Sequence, residues 1–338
     1  MPEKVGVGII GCGGMGRHHA RNLANIPEVG VRAYADIRLE AAEAIKSEFG
    51  GDFCTAEAHE LLADDRIDVA LICTHHHLHK LYAVEAAQAG KHIFVEKPLA
   101  LTIEECQEIE RAVEAADVKL MVGFQARFSP FINKLKEVIP HPLVTFGQLV
   151  DPKWGDQSWA NDPIEGGGNV LSQGCHLFDM MYWFNESEPV TIHAEGGNFT
   201  HPNIPEITDS VVATIQYANG AVGSVVVGDF GAPALTGKSF YELFGGDKTG
   251  TLYGYYSEPA IKFWGADIEE FTMTDLPEAE RNSSAAHGYV GEMRALIDWV
   301  AEDIDPVMAA KAKDGTRATM LGVKAIESIK TGAPQRIS

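Results

Sequence analysis

The chain has 338 residues, 45% of them hydrophobic and 22% charged, a make-up that excludes disordered and fibrous classes. That length exceeds one comfortable core, so two domains are expected. With 27 Lys and Arg against 48 Asp and Glu, the net charge of -21 argues against nucleic acid and anionic membrane surfaces as partners. No apolar run is long enough for a spanning helix. The first apolar run leads into a glycine turn rather than a cleavage site, so no signal peptide is expected. Cys12, Cys54, Cys73, Cys106 and Cys175 are odd in number, widely spaced and without C-x-x-C. They read as free thiols in a reducing compartment, which points to the cytoplasm.

In chain order, the pattern predicts strands at 5–10, 29–35, 67–73, 92–95 and 118–123. Helices are expected at 15–26, 38–49, 76–89 and 102–116, the last opened by a Thr102/Glu105 capping box. Alternating apolar strands and helices mean an α/β domain with a doubly wound parallel sheet covered on both faces. After Phe124 the pattern changes. A short helix at 130–139, a loop rich in Pro, Trp and Gly, and an apolar helix at 170–184 are followed by strands at 191–195, 210–217, 221–228, 239–244, 250–253 and 260–264. Asn219-Gly220 signals a hairpin between two of them. Helices return at 288–302 and 314–330. The expected division is 1–123 for a dinucleotide domain and 124–338 for an α+β domain.

Gly11-Cys12-Gly13-Gly14-Met15-Gly16 is G-x-G-x-x-G placed directly after a strand and at the start of a helix. Gly11 allows the tight turn, Gly13 lets backbone approach a pyrophosphate, and Gly16 lets helix pack close to strand. Asp36, twenty residues past Gly16, closes the second strand and suits an adenosine ribose, which favours NAD over NADP, with Arg38 close beside it. Two further clusters carry chemistry. Val95-Glu96-Lys97-Pro98 follows the fourth predicted strand, on the side of the sheet where ligands bind. Gly166-Gly167-Gly168-Asn169 opens a helix on which Ser172, His176 and Asp179 share one face.

In these residues the chain resembles the Gfo/Idh/MocA oxidoreductases, named for glucose–fructose oxidoreductase and inositol dehydrogenase. The fingerprint, Glu96-Lys97-Pro98, Gly123-Phe124 with Arg127-Phe128, the glycine-led helix with His176 and Asp179, and Asp314-Gly315 fall in that family's order. The resemblance implies a Rossmann domain followed by an open-faced, mainly antiparallel sheet used for substrate binding and oligomer contacts. It implies Lys97 and His176 as the catalytic pair. His176 suits removal of a hydroxyl proton, and the Lys97 ammonium suits a developing alkoxide. The candidate NAD contacts are Gly11, Gly13, Gly14, Met15, Gly16, Asp36, Arg38, Thr74, His76, His79, Glu96, Lys97 and Gln125. The candidate substrate contacts are Ser172, Gln173, Asp179, Trp159, Asp156 and Arg127. Two positions depart from the family: Ser172 stands where Asp is common, and Thr74-His75-His76 stands where Thr-Pro-Asn is common.

His75 and His79 have helical i, i+4 spacing, but no carboxylate or Cys completes a ligand set near them, so no metal is expected. Trp154 and Trp159, with Lys153, Asp156 and Gln157, suit a sugar ring or simply anchor their loop. The resulting expectation is an NAD(H)-dependent dehydrogenase or reductase acting on a carbohydrate or cyclic polyol. The rivals are an NAD-dependent glycosidase using transient oxidation and a non-catalytic NAD-binding sensor. Alternating apolar strands (Val211, Ala213, Ile215; Val222, Val225, Val227) with few helices to cover them suggest a homo-oligomer, dimer or tetramer.

Overall fold

Fully apolar strands separated by amphipathic helices must be covered on both faces. β1 (Val5–Ile10), β2 (Val29–Ala35), β3 (Phe53–Thr55), β4 (Val69–Ile72), β5 (His92–Val95) and β6 (Leu120–Val122) meet that demand in one six-stranded sheet, ordered β3-β2-β1-β4-β5-β6. All pairs are parallel. The order reverses beside β1, which makes the carboxyl ends of β1 and β4 the switch point where such sheets bind dinucleotides. The helices between the strands are α1 (Gly14–Leu23), α2 (Leu39–Phe49), α3 (Ala58–Leu62), α4 (His79–Gln88) and α5 (Ile103–Ala116). The computed structural model describes residues 4–235 and 237–337.

The strand–helix alternation thus forms as expected, with small additions. β3 and α3 are too short to show a period in sequence. The helix expected from 76 starts as a 3₁₀ turn, His76–Leu78, before α4. Thr102 caps α5 by accepting from the Glu105 backbone N–H at 3.2 Å.

The rest of the chain supplies α6 (Pro130–Val138), β7 (Val144–Pro152), α7 (Asn169–Ser172), α8 (Gly174–Asn185), β8 (Pro189–Gly197), β9 (Ser210–Tyr217), β10 (Val222–Gly231), β11 (Ser239–Phe244), β12 (Thr249–Tyr253), β13 (Ala260–Trp264), β14 (Ile268–Phe271), α9 (Ser283–Ala286), α10 (Tyr289–Glu302), α11 (Ala312–Thr331) and β15 (Gln335–Arg336). The nine strands form one sheet, β14-β13-β12-β11-β7-β10-β9-β8-β15, antiparallel except where β7 and β10 run parallel. The Asn219-Gly220 turn joins β9 to β10, with Gly220 at φ 89°.

Residues up to Phe124 group with Val290–Thr316, and Gln125–Tyr289 groups with the chain from Arg317 onward. The segment from 290 to 316, assigned to the second domain on sequence, joins the first unit for visible reasons. Ala310 bridges Val122, and a side chain at Gly315 would meet Leu99 at 2.7 Å.

Within the second unit, β7 lies in the middle of the sheet, where the sequence reading has only a loop. The positions on its buried face are Thr145, Gly147, Leu149 and Asp151, so no apolar alternation marks it in sequence. Gly147 is small because α8 lies against it: a Cβ there would meet Leu177 at 2.5 Å and Met181 at 2.7 Å. Val211, Ala213, Ile215, Val225 and Val227 are buried, on the face that α7 and α8 cover. The expectation that these valines lie bare is corrected. The uncovered face instead carries Val144, Val212, Val222, Phe244, Tyr253 and Trp264, all exposed, with Val222, Val144 and Phe244 in register across β10, β7 and β11.

Candidate active site

The glycine turn follows β1 directly. Gly11 adopts φ 94°, and a Cβ on it would meet the Cys73 carbonyl oxygen at 2.6 Å. A Cβ on Gly16 would meet the Gly11 oxygen at 2.0 Å. Gly13 and Gly14 differ: a Cβ there meets nothing within 4 Å. The first two glycines serve the fold, and the second pair leaves open space at the start of α1, where backbone N–H groups favour an anion. Half-buried Met15 continues that turn.

Asp36 closes β2 and crosses back to the turn. Its Oδ2 accepts from the Cys12 N–H at 2.8 Å and its Oδ1 from the Arg38 N–H at 2.9 Å. The Arg38 side chain is exposed, 3.9 Å from the same carboxylate. Gly11, Gly13, Asp36, Arg38, Thr74 and Tyr82 line a cavity of about 650 Å³. These residues fit a dinucleotide: space for a pyrophosphate at the helix start, and a carboxylate at the ribose position. Burial first, then the Asp36 charge, pushes the Cys12 thiol up to about 12, so it is no nucleophile at neutral pH.

Beyond β5 the chain turns through Glu96, Lys97 and Pro98. Three contacts fix this turn from within the first unit. His19 Nε2, on α1, lies 2.7 Å from Glu96 Oε1. The Lys97 N–H reaches Glu96 Oε2 at 3.3 Å. His79, fully buried, sets Nδ1 2.7 Å from the Pro98 oxygen and Nε2 3.2 Å from the Thr74 oxygen. Burial pushes Glu96 upward, but the His19 hydrogen bond and the charges of His19, Lys97 and His79 hold it below the ordinary carboxylate range. Burial pushes His79 below the ordinary histidine value despite its two carbonyl neighbours. His76 is buried beside it, with ring centroids 5.6 Å apart. His79 is thus a brace for the lysine turn, and Lys97 is the half-buried polar group of an otherwise buried segment.

In the second unit, α7 and α8 replace the single helix expected at 170–184. The break falls at Gln173, φ -107° and ψ -35°. Ser172 ends α7, and His176 sits in the first turn of α8; both are buried. Asp179 and Arg127, both expected at substrate, meet each other. Arg127 Nε donates to Asp179 Oδ2 at 2.9 Å and its Nη2 to Oδ1 at 2.5 Å, with each residue 2% exposed. The guanidinium also stacks 4.9 Å over the Trp183 ring. Asp179, expected to contact substrate from the His176 face, is therefore engaged with an arginine. Gln125 is also in this unit, its Nε2 3.5 Å from the Tyr256 hydroxyl.

The loop after β7 holds Trp154, half-buried, and Trp159, 37% exposed. Asp156 in this loop lies 2.8 Å from His201 Nδ1, and Asp229 Oδ2 lies 2.7 Å from His201 Nε2. Sequence reasoning missed His201, Asp229 and the His19–Glu96 pair. A carboxylate at the end of a wholly apolar strand demands a buried partner, so Glu96 was a signal for His19. His201 gave none, since its loop has no period.

Residues 5–124 match the family described as "Oxidoreductase family, NAD-binding Rossmann fold". Residues 143–247 match the "GFO/IDH/MocA C-terminal domain". The "Uncharacterized oxidoreductase YrbE" of Bacillus subtilis is 31% identical over 342 residues, covering 100% of this chain and 98% of the relative. The "Myo-inositol 2-dehydrogenase" of Thermotoga maritima is 26% identical, covering 96% of each chain. The solved structure of "Levoglucosan dehydrogenase, complex with NADH" shares the fold at TM-score 0.87 and 23% identity, covering 99% of this chain and 100% of that one.

Proposed function

Because the chain belongs to the Gfo/Idh/MocA family of NAD-binding oxidoreductases, we propose that it interconverts a secondary alcohol and a ketone on a carbohydrate or cyclic polyol. The observation that carries the redox reading is the open space at Gly13 and Gly14 together with the Asp36 carboxylate tied to the same turn. The substrate class is supported by relatives named for myo-inositol and levoglucosan.

NAD, when bound, supplies the hydride acceptor. Lys97 holds the reacting oxygen and stabilises negative charge as it develops there. His176 takes the hydroxyl proton. The braces at His19, Glu96 and His79 fix the lysine turn before substrate arrives, so its placement costs no reorganisation during reaction. The Trp154–Trp159 loop offers a ring face and polar groups to a sugar. We further assign the protein to the cytoplasm as a homo-oligomer whose interface is the uncovered sheet face.

A panel of polyols, monosaccharides and glycosides, scored for NADH formation and for bond cleavage, tests the reading. Stable NADH without cleavage is expected. Cleavage without net NADH would favour the hydrolytic rival, and neither outcome across a broad panel would favour the sensor. Lys97→Met and His176→Ala should each lose several kcal/mol of transition-state stabilisation, while NAD affinity changes by no more than a few-fold.

A further inference from the structure

His201 is wholly buried with a carboxylate at each ring nitrogen: Asp156 Oδ1 2.8 Å from Nδ1, and Asp229 Oδ2 2.7 Å from Nε2. A neutral imidazole has one N–H and one lone pair, so one of these contacts would set a lone pair against a carboxylate. The doubly protonated imidazolium, with an N–H for each carboxylate, is the form that satisfies both contacts while both carboxylates stay ionised. Burial opposes the charge, but the hydrogen bonds of Asp229 and Asp156, with the charges of Asp229 and Asp209, raise His201 above the ordinary histidine value.

The charged and polar neighbours come from every segment around the ring. Asp156 belongs to the loop after β7 and has Lys153 at 3.5 Å and Asn203 at 3.1 Å. Asn161, in the same loop, places Nδ2 3.5 Å from His201 Nε2. Asp229, on β10, also accepts from the Trp154 N–H at 3.1 Å and the Thr200 hydroxyl at 3.0 Å. Asp209, just before β9, accepts from the Phe199 N–H at 2.9 Å, and from the Thr200 N–H and hydroxyl, each at 2.7 Å. Polar atoms of His201, Asp209 and Asp229 lie within 4.8 Å of one another. The positive charge among them is the imidazolium itself.

Two of these bonds reach the tryptophan loop, through the Asp156 side chain and the Trp154 N–H. That loop is in turn joined to the His176 segment: the Ala160 oxygen accepts from the Gly168 N–H at 2.9 Å, directly before α7. We propose that His201 is a positioning residue, an imidazolium clamp between Asp156 and Asp229 that ties the Trp154–Trp159 loop to the sheet in the form that receives a carbohydrate ring. This rests on the reading of that loop as a substrate platform. The clamp holds below the raised His201 pKa and is lost as pH rises through it. At the acid end it is lost as Asp156 protonates, since hydrogen bonds from His201 and Asn203 hold that carboxyl below its ordinary range.

Hydrogen exchange of the 153–162 peptide, corrected for intrinsic rate, tests the clamp across pH on the full chain and on His201→Asn. Steady-state kinetics on the best substrate of the panel accompany it. Exchange in the unaltered chain should rise from neutral to alkaline pH. In His201→Asn it should be fast already at neutral pH, with KM raised about tenfold and kcat and NAD affinity within about twofold. Should that variant not fold, Asp229→Asn, which leaves His201 and Asp156 in place, carries the same comparison. Exchange that responds neither to pH nor to substitution overturns the clamp, even if no substrate is found. A loosened loop with unchanged KM overturns its role toward substrate and the platform reading with it, while NADH formation keeps the redox reading intact. Stoichiometric Zn²⁺ or Mn²⁺ in the purified protein, lost in Asp209→Asn, would put a metal in place of the imidazolium and overturn the proposal.

Discussion

His19 on α1 and Glu96 after β5 meet at 2.7 Å, the histidine fully buried and the glutamate 6% exposed. The pair links the helix that opens the dinucleotide turn to the turn that carries Lys97. His19→Ala leaves a buried carboxylate without its partner and should cost about 3–5 kcal/mol in urea unfolding. Glu96 titrates below its ordinary value, so its contribution is present above the unfolded carboxylate pKa and is lost as pH falls. The gap between the two proteins should narrow in acid. A gap that stays constant would mean that His19 acts through packing alone.

The fingerprint glycines should separate fold from cofactor. Gly16→Ala places a methyl 2.0 Å from the Gly11 oxygen, so both melting temperature and NAD binding should fall. Gly13→Ala meets no protein atom within 4 Å, and Gly13 has an ordinary φ of -75°. Its melting temperature should hold while NAD affinity drops at least roughly tenfold, about 1.4 kcal/mol. Unchanged affinity in calorimetric titration would move the pyrophosphate away from Gly13.

Asp36 sets the cofactor preference by charge. Asp36→Ala removes a ribose acceptor and the repulsion toward a 2′-phosphate. NAD should weaken by about 1.5–3 kcal/mol, and NADP should come to bind comparably, aided by Arg38. Tighter NADP than NAD in the unaltered protein would contradict the assignment.

Much of the first unit was legible because its signals are local. Strand, glycine, helix and acid follow one another, and each constrains its neighbours. The second unit was harder for a physical reason. β7 reads as loop because its buried face carries Thr145, Gly147 and Asp151 beside Leu149, and Gly147 yields to Leu177 and Met181 of α8, a cause that lies thirty residues away in sequence. The break at Gln173 and the Arg127–Asp179 pair are likewise tertiary facts. Spacing put Asp179 on the His176 face of a regular helix, while the partner that engages it comes from beside α6.

That pair makes its own prediction. Asp179→Asn leaves a buried guanidinium short of its counter-charge and should destabilise the protein by about 3–5 kcal/mol. Arg127→Met combined with Asp179→Leu should recover much of that loss, because neither charge remains buried. Thermal unfolding of the three variants decides it. A double variant no better than the single one would show that the bidentate geometry, rather than charge compensation, holds α8.

Ser172 tests where α7 delivers its side chain. It is 3% exposed, and the helix is interrupted at Gln173, where the Gln173 oxygen accepts from the His176 N–H at 3.1 Å. Spacing of four residues therefore does not by itself bring the two side chains together. A carboxylate within reach of His176 would favour its imidazolium form and raise its pKa. The base must be neutral to accept a proton, so Ser172→Asp should move the acidic limb of the dehydrogenation profile to higher pH, by roughly one unit. Relative rates across the polyol panel should also change, since a charged acceptor replaces a neutral hydroxyl. A pH profile and substrate ranking that both match the unaltered enzyme would mean that residue 172 faces away from His176, and that the break at Gln173 turns α7 out of the substrate site.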